Sequence, residues 1–106
     1  MFAMAKIKSK MKVRVRSYDS AEYLDTPEAI AEYLTDALED GDPGFIAKAI
    51  GTAARARGMS EVAREAGVSR ENLYRALSGE AKPEFDTIRR VLDALGVRLE
   101  VKPKAA

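Results

Sequence analysis

The polar side chains best suited to recognition in this 106-residue chain lie within residues 69–75. Arg70 and Arg75 each carry a planar fork of N–H donors that matches the O6 and N7 acceptors of guanine. Asn72 and Tyr74 can reach a phosphate or a base edge, and Glu71 can accept a hydrogen bond from cytosine N4. These residue types at this spacing predict contact with nucleic acid.

Two short helices joined by a tight turn are predicted to position these side chains. Ser60 is expected to cap a first helix that ends at Gly67, because a serine oxygen can accept a hydrogen bond from an unpaired amide of the first turn. Ser69 is expected to cap a second helix over residues 70–77, which Gly79 follows. The apolar residues of the second helix share one side at three- and four-residue spacing, and polar residues occupy the other side. The apolar side comprises Leu73, Ala76 and Leu77, and the polar side comprises Glu71, Tyr74, Arg75 and Ser78.

This layout predicts a helix-turn-helix over residues 60–78, in which the second helix presents its N-terminal residues to the major groove. Capped helix pairs also occur in small helical domains that never contact nucleic acid, so the spacing alone leaves both interpretations open. The arginines and the polar N-terminal turn favour DNA binding.

Three further amphipathic helices are predicted around this unit. Thr26 followed by Pro27, and Asp42 followed by Pro43, are both typical of helix starts. Glycines are expected to end all three helices, at residues 41, 58 and 96. The apolar stripes are Ala29, Ile30, Tyr33, Leu34, Ala37 and Leu38; Phe45, Ile46, Ala49, Ile50 and Ala53; and Phe85, Ile88, Val91, Leu92 and Leu95. The prediction is a mainly α fold, a five-helix bundle in which these stripes bury one another.

Two segments alternate between apolar and charged residues, as half-buried strands do. They are residues 10–16, a possible edge strand, and residues 97–102. Because an isolated strand leaves its backbone unpaired, the second is expected to pair with the first or with another chain. The predicted organisation is a basic N-terminal extension (1–17), a single domain (18–102) and a short tail (103–106).

Composition narrows the function classes. The chain has no cysteine and no histidine, which excludes disulfides, thiolate or imidazole catalysis and cysteine or histidine metal sites. Four carboxylates, Glu32, Asp36, Glu39 and Asp40, lie at helical spacing on a solvated face, and neither a phosphate-binding loop nor a nucleophile–base pair is present. No enzymatic activity, cofactor or metal is predicted. The N-terminus lacks the apolar run of a signal peptide and no stretch has the length of a membrane span, so a cytoplasmic location is expected.

The charges are segregated although the net charge is only +1. Residues 1–17 carry six bases and no acid, residues 18–47 carry nine acids and no base, and the remainder carries twelve bases and eight acids. Such a separation suggests a basic face for DNA and an acidic face for a basic protein. A solvated helix face explains the acidic part equally well. Arg55 and Arg57 fit either a phosphate clamp or, slightly better, ordinary pairing with a helix C-terminus.

A family resemblance extends over about residues 18–100. The runs VSRENLYRALSG and PEFDT, followed by LDALGVRL and preceded by YLDTPEAIAEYL, are similar to HigA-like antitoxins of the Xre (lambda-repressor-like) helix-turn-helix class, the antidote proteins of addiction modules. The basic N-terminal extension matches least well.

The resemblance implies a lambda-repressor-like bundle that binds a small RelE/ParE-like toxin encoded beside it and represses their operon as a homodimer on a palindromic operator. By position, the implied DNA-contacting residues are Ser69, Arg70, Glu71, Asn72, Tyr74 and Arg75, with Arg70, Glu71 and Arg75 as base readers. A stand-alone phage-type repressor and a toxin-binding module without DNA binding remain the alternatives.

Overall fold

The computed structural model describes residues 23–105, and five α-helices lie within that range. They are α1 (Pro27–Asp40), α2 (Pro43–Arg57), α3 (Met59–Ala66), α4 (Arg70–Ala76) and α5 (Phe85–Ala94). Helix α1 packs on α2, and α3 contacts α2, α4 and α5. The mainly α, five-helix prediction is therefore confirmed.

The predicted caps of α1 and α2 are formed. Thr26 Oγ1 accepts a hydrogen bond from the Ala29 amide at 3.1 Å, and Asp42 Oδ2 accepts one from the Phe45 amide at 2.8 Å. In each helix the proline next to the cap has no amide hydrogen to leave unpaired. These caps fix where both helices begin.

The predicted cap at Ser60 is wrong. Gly58 ends α2 by donating its amide to the Ala54 carbonyl at 2.8 Å, and its own carbonyl accepts the first hydrogen bond of α3 from Val62 at 2.9 Å. Since the two helices share Gly58, α3 begins at Met59 and Ser60 already lies inside its first turn. No side chain among residues 23–105 caps α3.

The predicted strand over residues 97–102 is also wrong, and no strand occurs within residues 23–105. The Val97 amide donates to the Leu92 carbonyl and the Gly96 amide to the Asp93 carbonyl, both at 3.0 Å, which is the hydrogen-bond pattern of a Schellman motif closing α5. Val97 thus belongs to the helix terminus, and the rest of the segment has no ladder partner in the described part of the chain. The possible strand at residues 10–16 lies outside the described residues.

One core unites the five helices. Its most completely buried large side chains are Ile30, Val62, Leu73, Val91 and Leu95, which come from α1, α3, α4 and the C-terminal part of α5 with the residue that follows it. Several predicted stripe residues instead remain exposed: Leu38, Phe45 and Phe85. The period of a stripe identifies the apolar side of a helix, but the outer edge of that side is covered only where a neighbouring helix reaches it.

A Schellman motif also closes α3 at the turn before α4. The Gly67 amide bonds the Arg64 carbonyl at 3.2 Å and the Val68 amide bonds the Ala63 carbonyl at 3.0 Å, with Gly67 at φ +76°. Arg90 of α5 donates from Nη1 to the Ala66 carbonyl at 2.7 Å and so pairs a further group at this helix end. The C-terminal end of α3 is therefore fixed both by the turn itself and by a hydrogen bond from α5.

We expect Gly67→Ala to lower the free energy of unfolding by about 1 to 2 kcal/mol from left-handed backbone strain. A further loss is expected because a Cβ at residue 67 would lie 3.1 Å from Arg90 Nη1. Gly41→Ala is the matched control, since Gly41 has φ +83° but a Cβ there would have no neighbour within 4 Å. Urea unfolding of both variants measures the difference. Equal losses would show that the Arg90 contact contributes nothing.

Asp86 orients Arg90 for this contact. Its carboxylate accepts from Arg89 at 2.9 Å and from Arg90 Nε at 3.1 Å, and the hydrogen bond from Arg89, with the positive charges of both arginines, lowers the pKa of Asp86. A lowered folded-state pKa means that the contribution to stability is present above the unfolded pKa and is lost as pH falls through the folded pKa.

We therefore expect Asp86→Asn to reduce the melting temperature slightly at neutral pH and to match the parent chain only well below about pH 4, once the carboxyl group is protonated in the folded state as well. Thermal melts at neutral and acidic pH test this. A difference that persisted undiminished into acid would exclude the carboxylate charge as its source.

Candidate nucleic-acid interface

The six predicted site residues form one exposed row at the start of α4, here called the polar row: Ser69, Arg70, Glu71, Asn72, Tyr74 and Arg75. Two leucines hold the opposite side of the helix in the core, Leu73 at 0 % and Leu77 at 4 % exposure. The predicted division between a packing side and an exposed side is thus observed, with Ala76 half-buried between them.

The N-terminus of α4 is fixed by its cap. Ser69 Oγ accepts a hydrogen bond from the Asn72 amide at 3.0 Å, and the Ser69 carbonyl accepts from the Leu73 amide at 2.9 Å. The Ser69 hydroxyl hydrogen remains able to donate outward. Since helix amides and the helix dipole favour negative charge at this end, the arrangement is suited to an anionic ligand such as phosphate.

Arg70 and Tyr74 form a pair on the outside of α4. The guanidinium carbon lies 5.5 Å from the centre of the tyrosine ring, and Nη2 lies 3.4 Å from the phenol oxygen, a long and weak hydrogen bond. Stacking of this kind restricts the conformations of the Arg70 side chain, while most of its N–H groups can still donate hydrogen bonds to a ligand. No side-chain hydrogen bond or ion pair within the described residues engages the side chain of Arg75 or Asn72.

A cleft of about 450 Å³ lies between α2 and α4, next to the polar row. Lys48, Thr52 and Arg55 of α2 line one side and Tyr74 and Ser78 line the other. Arg55 donates to Thr52 Oγ1 at 3.3 Å. We call this feature the cationic cleft, because the two charged residues that line it within residues 23–105 are both bases.

Sequence reasoning did not single out Lys48, and it favoured helix-end pairing for Arg55. The useful signal was the spacing of Lys48, Thr52 and Arg55, which places all three on one side of a helix. Only the packing of α2 against the end of α4 shows that this side adjoins Tyr74. Arg57 does not line the cleft.

The described part of the chain shows neither a cluster of potential metal ligands nor a membrane-spanning helix. Residues 23–105 contain no group of three or more acidic side chains placed to hold a metal ion. None of the helices described there is long and apolar enough to cross a membrane.

The family assignment rests on a match over nearly the whole chain. The family model described as "Probable addiction module antidote protein" matches residues 14–103, and the chain belongs to this family. The antidote part of the predicted resemblance is therefore confirmed, and membership implies a partner toxin.

A similar protein comes from Haemophilus influenzae (strain ATCC 51907 / DSM 11121 / KW20 / Rd), where it bears the name "Uncharacterized protein". It is 42% identical over 92 residues, which cover 87% of this chain and 95% of that protein. No solved structure matches the chain.

Proposed function

We propose that this chain is a DNA-binding antitoxin of a type II toxin–antitoxin module, which neutralises a RelE/ParE-like toxin and represses its own operon. The observation that carries the DNA-binding part is the polar row, whose six side chains project from a helix anchored by Leu73 and Leu77. Membership of an antidote family supports the toxin-neutralising part.

In this proposal α3 and α4 are a helix-turn-helix of the HigA-like, Xre class, and α4 enters the major groove. Arg70, Glu71 and Arg75 read bases, and Ser69, Asn72 and Tyr74 complete the contact surface. The exposure of all six residues and the capped N-terminus of α4 support these roles. The chain acts in the cytoplasm and has no enzymatic activity.

The cationic cleft extends the same interface to the DNA backbone. Lys48 and Arg55 lie beside Tyr74. With α4 in the major groove, the DNA backbone at the edge of that groove would pass next to these two bases. A phosphate there would be neutralised by both bases and would accept a hydrogen bond from the Ser78 hydroxyl.

We expect Lys48→Ala to weaken DNA binding about equally on all sequences and to reduce the slope of log affinity against log salt by about one. Fluorescence anisotropy on specific and scrambled duplexes over a salt series measures both effects. Lys82→Ala, at an exposed lysine that does not line the cleft, is the control. A loss confined to the specific duplex would contradict a phosphate-contacting role.

The protein acts as a homodimer in this proposal. Two helix-turn-helix units bind half-sites about 34 to 36 Å apart, one turn of DNA, so the operator should be palindromic.

The direct test is a gel shift of the purified chain on the DNA upstream of its gene, with and without the protein encoded by the neighbouring gene. We expect a specific, salt-sensitive shift that changes when that protein is added. Absence of a shift in both lanes would overturn the DNA-binding part.

A toxin-binding module without DNA binding is the second candidate. The observation that favours it is Glu71, an exposed acid in the first turn of α4, which would repel phosphates unless it meets a cytosine. Tight binding to the neighbouring protein without any DNA shift would select this candidate. A DNA shift with no binding to that protein would select a stand-alone phage-type repressor.

A further inference from the structure

A second concave surface lies on another part of the molecule and is apolar. It is a groove of about 210 Å³ between α1, α2, α5 and the segment after α5. The residues that line it include Ala31, Thr35 and Leu38 of α1, Phe85 and Ile88 of α5, and Leu99. We call it the apolar groove.

Large apolar side chains at its rim are open to solvent. Phe85 is 69 % exposed and Leu38 is 48 % exposed, and Leu99 is also exposed. These side chains cluster around one depression, unlike the scattered single exposures that are normal on a protein surface. A cluster of this kind is typical of a surface that a partner covers.

The α1 side of the groove is strongly acidic. Ala31 and Thr35 line the groove, and three glutamates lie three or four residues from one of them, so they occupy the adjoining strip of the helix surface. These glutamates, here called the acidic strip, are Glu28, Glu32 and Glu39. Helix α1 carries no base anywhere along its length, so nothing on that helix offsets their charge.

Within the described part of the chain, one base lines the groove, on the side away from α1. It is Arg98, whose guanidinium lies 3.9 Å from the Glu100 carboxylate, and both side chains are exposed. Because Glu100 compensates part of this single positive charge, Arg98 offsets little of the negative charge on the α1 side of the groove.

We propose that the apolar groove and its acidic strip are the docking surface for the partner toxin, through a segment that combines apolar side chains with lysine or arginine. This inference rests on the proposed antitoxin function and adds the surface and the chemistry of its partner. The apolar side chains would fill the groove, and the cations would face Glu28, Glu32 and Glu39. None of the groove residues named above belongs to the polar row or lines the cationic cleft, so the two proposed binding functions use separate surfaces.

The test is the affinity of full-length variants for the protein encoded by the neighbouring gene, measured by isothermal titration calorimetry. We expect Phe85→Ser to weaken binding on the order of tenfold, as loss of a large apolar interface contact can. Phe45→Ser is the matched control, because Phe45 is 49 % exposed but does not line the groove. It should leave the affinity within about twofold, well below the effect expected of Phe85→Ser.

Charge reversal tests the acidic strip separately. Glu32→Lys should weaken binding and flatten its dependence on salt, whereas Glu65→Lys, at an exposed acid of α3 outside the groove, should do neither. Thermal melts and the gel shift on operator DNA confirm that each variant is folded.

The outcomes separate a failure of the groove assignment from a failure of the proposed antitoxin function. If the parent chain does not bind the neighbouring protein, the antitoxin function fails and the groove assignment fails with it. If the parent binds and Phe85→Ser and Glu32→Lys bind equally well, only the groove assignment is overturned. It is also overturned if Phe85→Ser keeps its toxin affinity but dissociates a homodimer in light scattering, which assigns the groove to a second copy. The groove belongs to the chain's own basic segment if Phe85→Ser keeps its toxin affinity, and if alanine at Lys10, Lys12, Arg14 and Arg16 lowers the melting temperature of the parent chain but not that of Phe85→Ser.

Discussion

Leu73→Ala is expected to lower the free energy of unfolding by about 2 to 5 kcal/mol, the range for a leucine removed from a packed core. Leu73 is fully buried on the inner side of α4, between the exposed residues Asn72 and Tyr74. A small domain is stabilised by about 5 to 15 kcal/mol in total, so this one truncation would remove a large share. Urea unfolding followed by circular dichroism measures it.

The matched control is Leu99→Ala, which makes the same truncation at an exposed leucine. We expect a loss well below about 1 kcal/mol there, as for most surface substitutions. DNA binding by Leu73→Ala should weaken in parallel with the folded fraction, because the polar row depends on this anchor. A stable Leu73→Ala variant would contradict the assignment of this leucine as the anchor of α4.

Arg75→Ala is expected to weaken binding to the cognate operator by about 1 to 3 kcal/mol and to relax the preference at one base position. Arg75 is exposed on α4, and its planar fork can bond two acceptors of one guanine. Binding to a library of operator variants measures both the affinity and the preference.

A second arginine on another part of the surface provides the control for Arg75→Ala. Arg98→Ala removes the same charge from an exposed residue that lies beyond α5 and outside the polar row. It should change neither affinity nor sequence preference. If Arg75→Ala lowered affinity equally for all sequences, Arg75 would be a phosphate contact rather than a base reader.

The sequence predicted best those features that are local in the chain. Thr26 and Asp42 were recognisable as caps because the hydrogen bond each accepts comes from an amide three residues later. Gly67 and Ser69 likewise fix the turn between α3 and α4 through bonds within the segment itself. The polar row followed from the same local pattern, since Leu73 and Leu77 identify the buried side of α4.

Two of the errors concern features that depend on distant parts of the chain, whereas the third, at Ser60, has a local cause. Alternation in residues 97–102 predicted a strand, yet a strand exists only with a partner, and Val97 is instead engaged at the end of α5. Ser60 has the chemistry of a cap. Gly58, however, both ends α2 and caps the start of α3, so α3 begins at Met59, before Ser60. Phe85 was predicted to be buried with its apolar stripe, but it is exposed because none of the described helices covers that end of the stripe.

The same limit applies to the candidate interfaces. Lys48 and Arg55 are recognisable on one side of α2, but their position beside Tyr74 follows only from the packing of α2 against the end of α4. The apolar groove is formed by residues from four separate segments. Spacing along any one of them could not have shown that they meet.

Two glycines of α2 restrict how this chain could have diverged. A Cβ at Gly44 would come within 2.9 Å of the Gly79 carbonyl oxygen, and one at Gly51 within 3.3 Å of the Leu77 carbonyl oxygen. Any larger residue at position 44 would require the backbone after α4 to move, which would alter how the end of α4 packs on α2. The exposed residues of α4 meet no such barrier and can be exchanged one by one. Descendants of this protein would therefore acquire new binding preferences by changing the chemistry of α4, while inheriting its orientation.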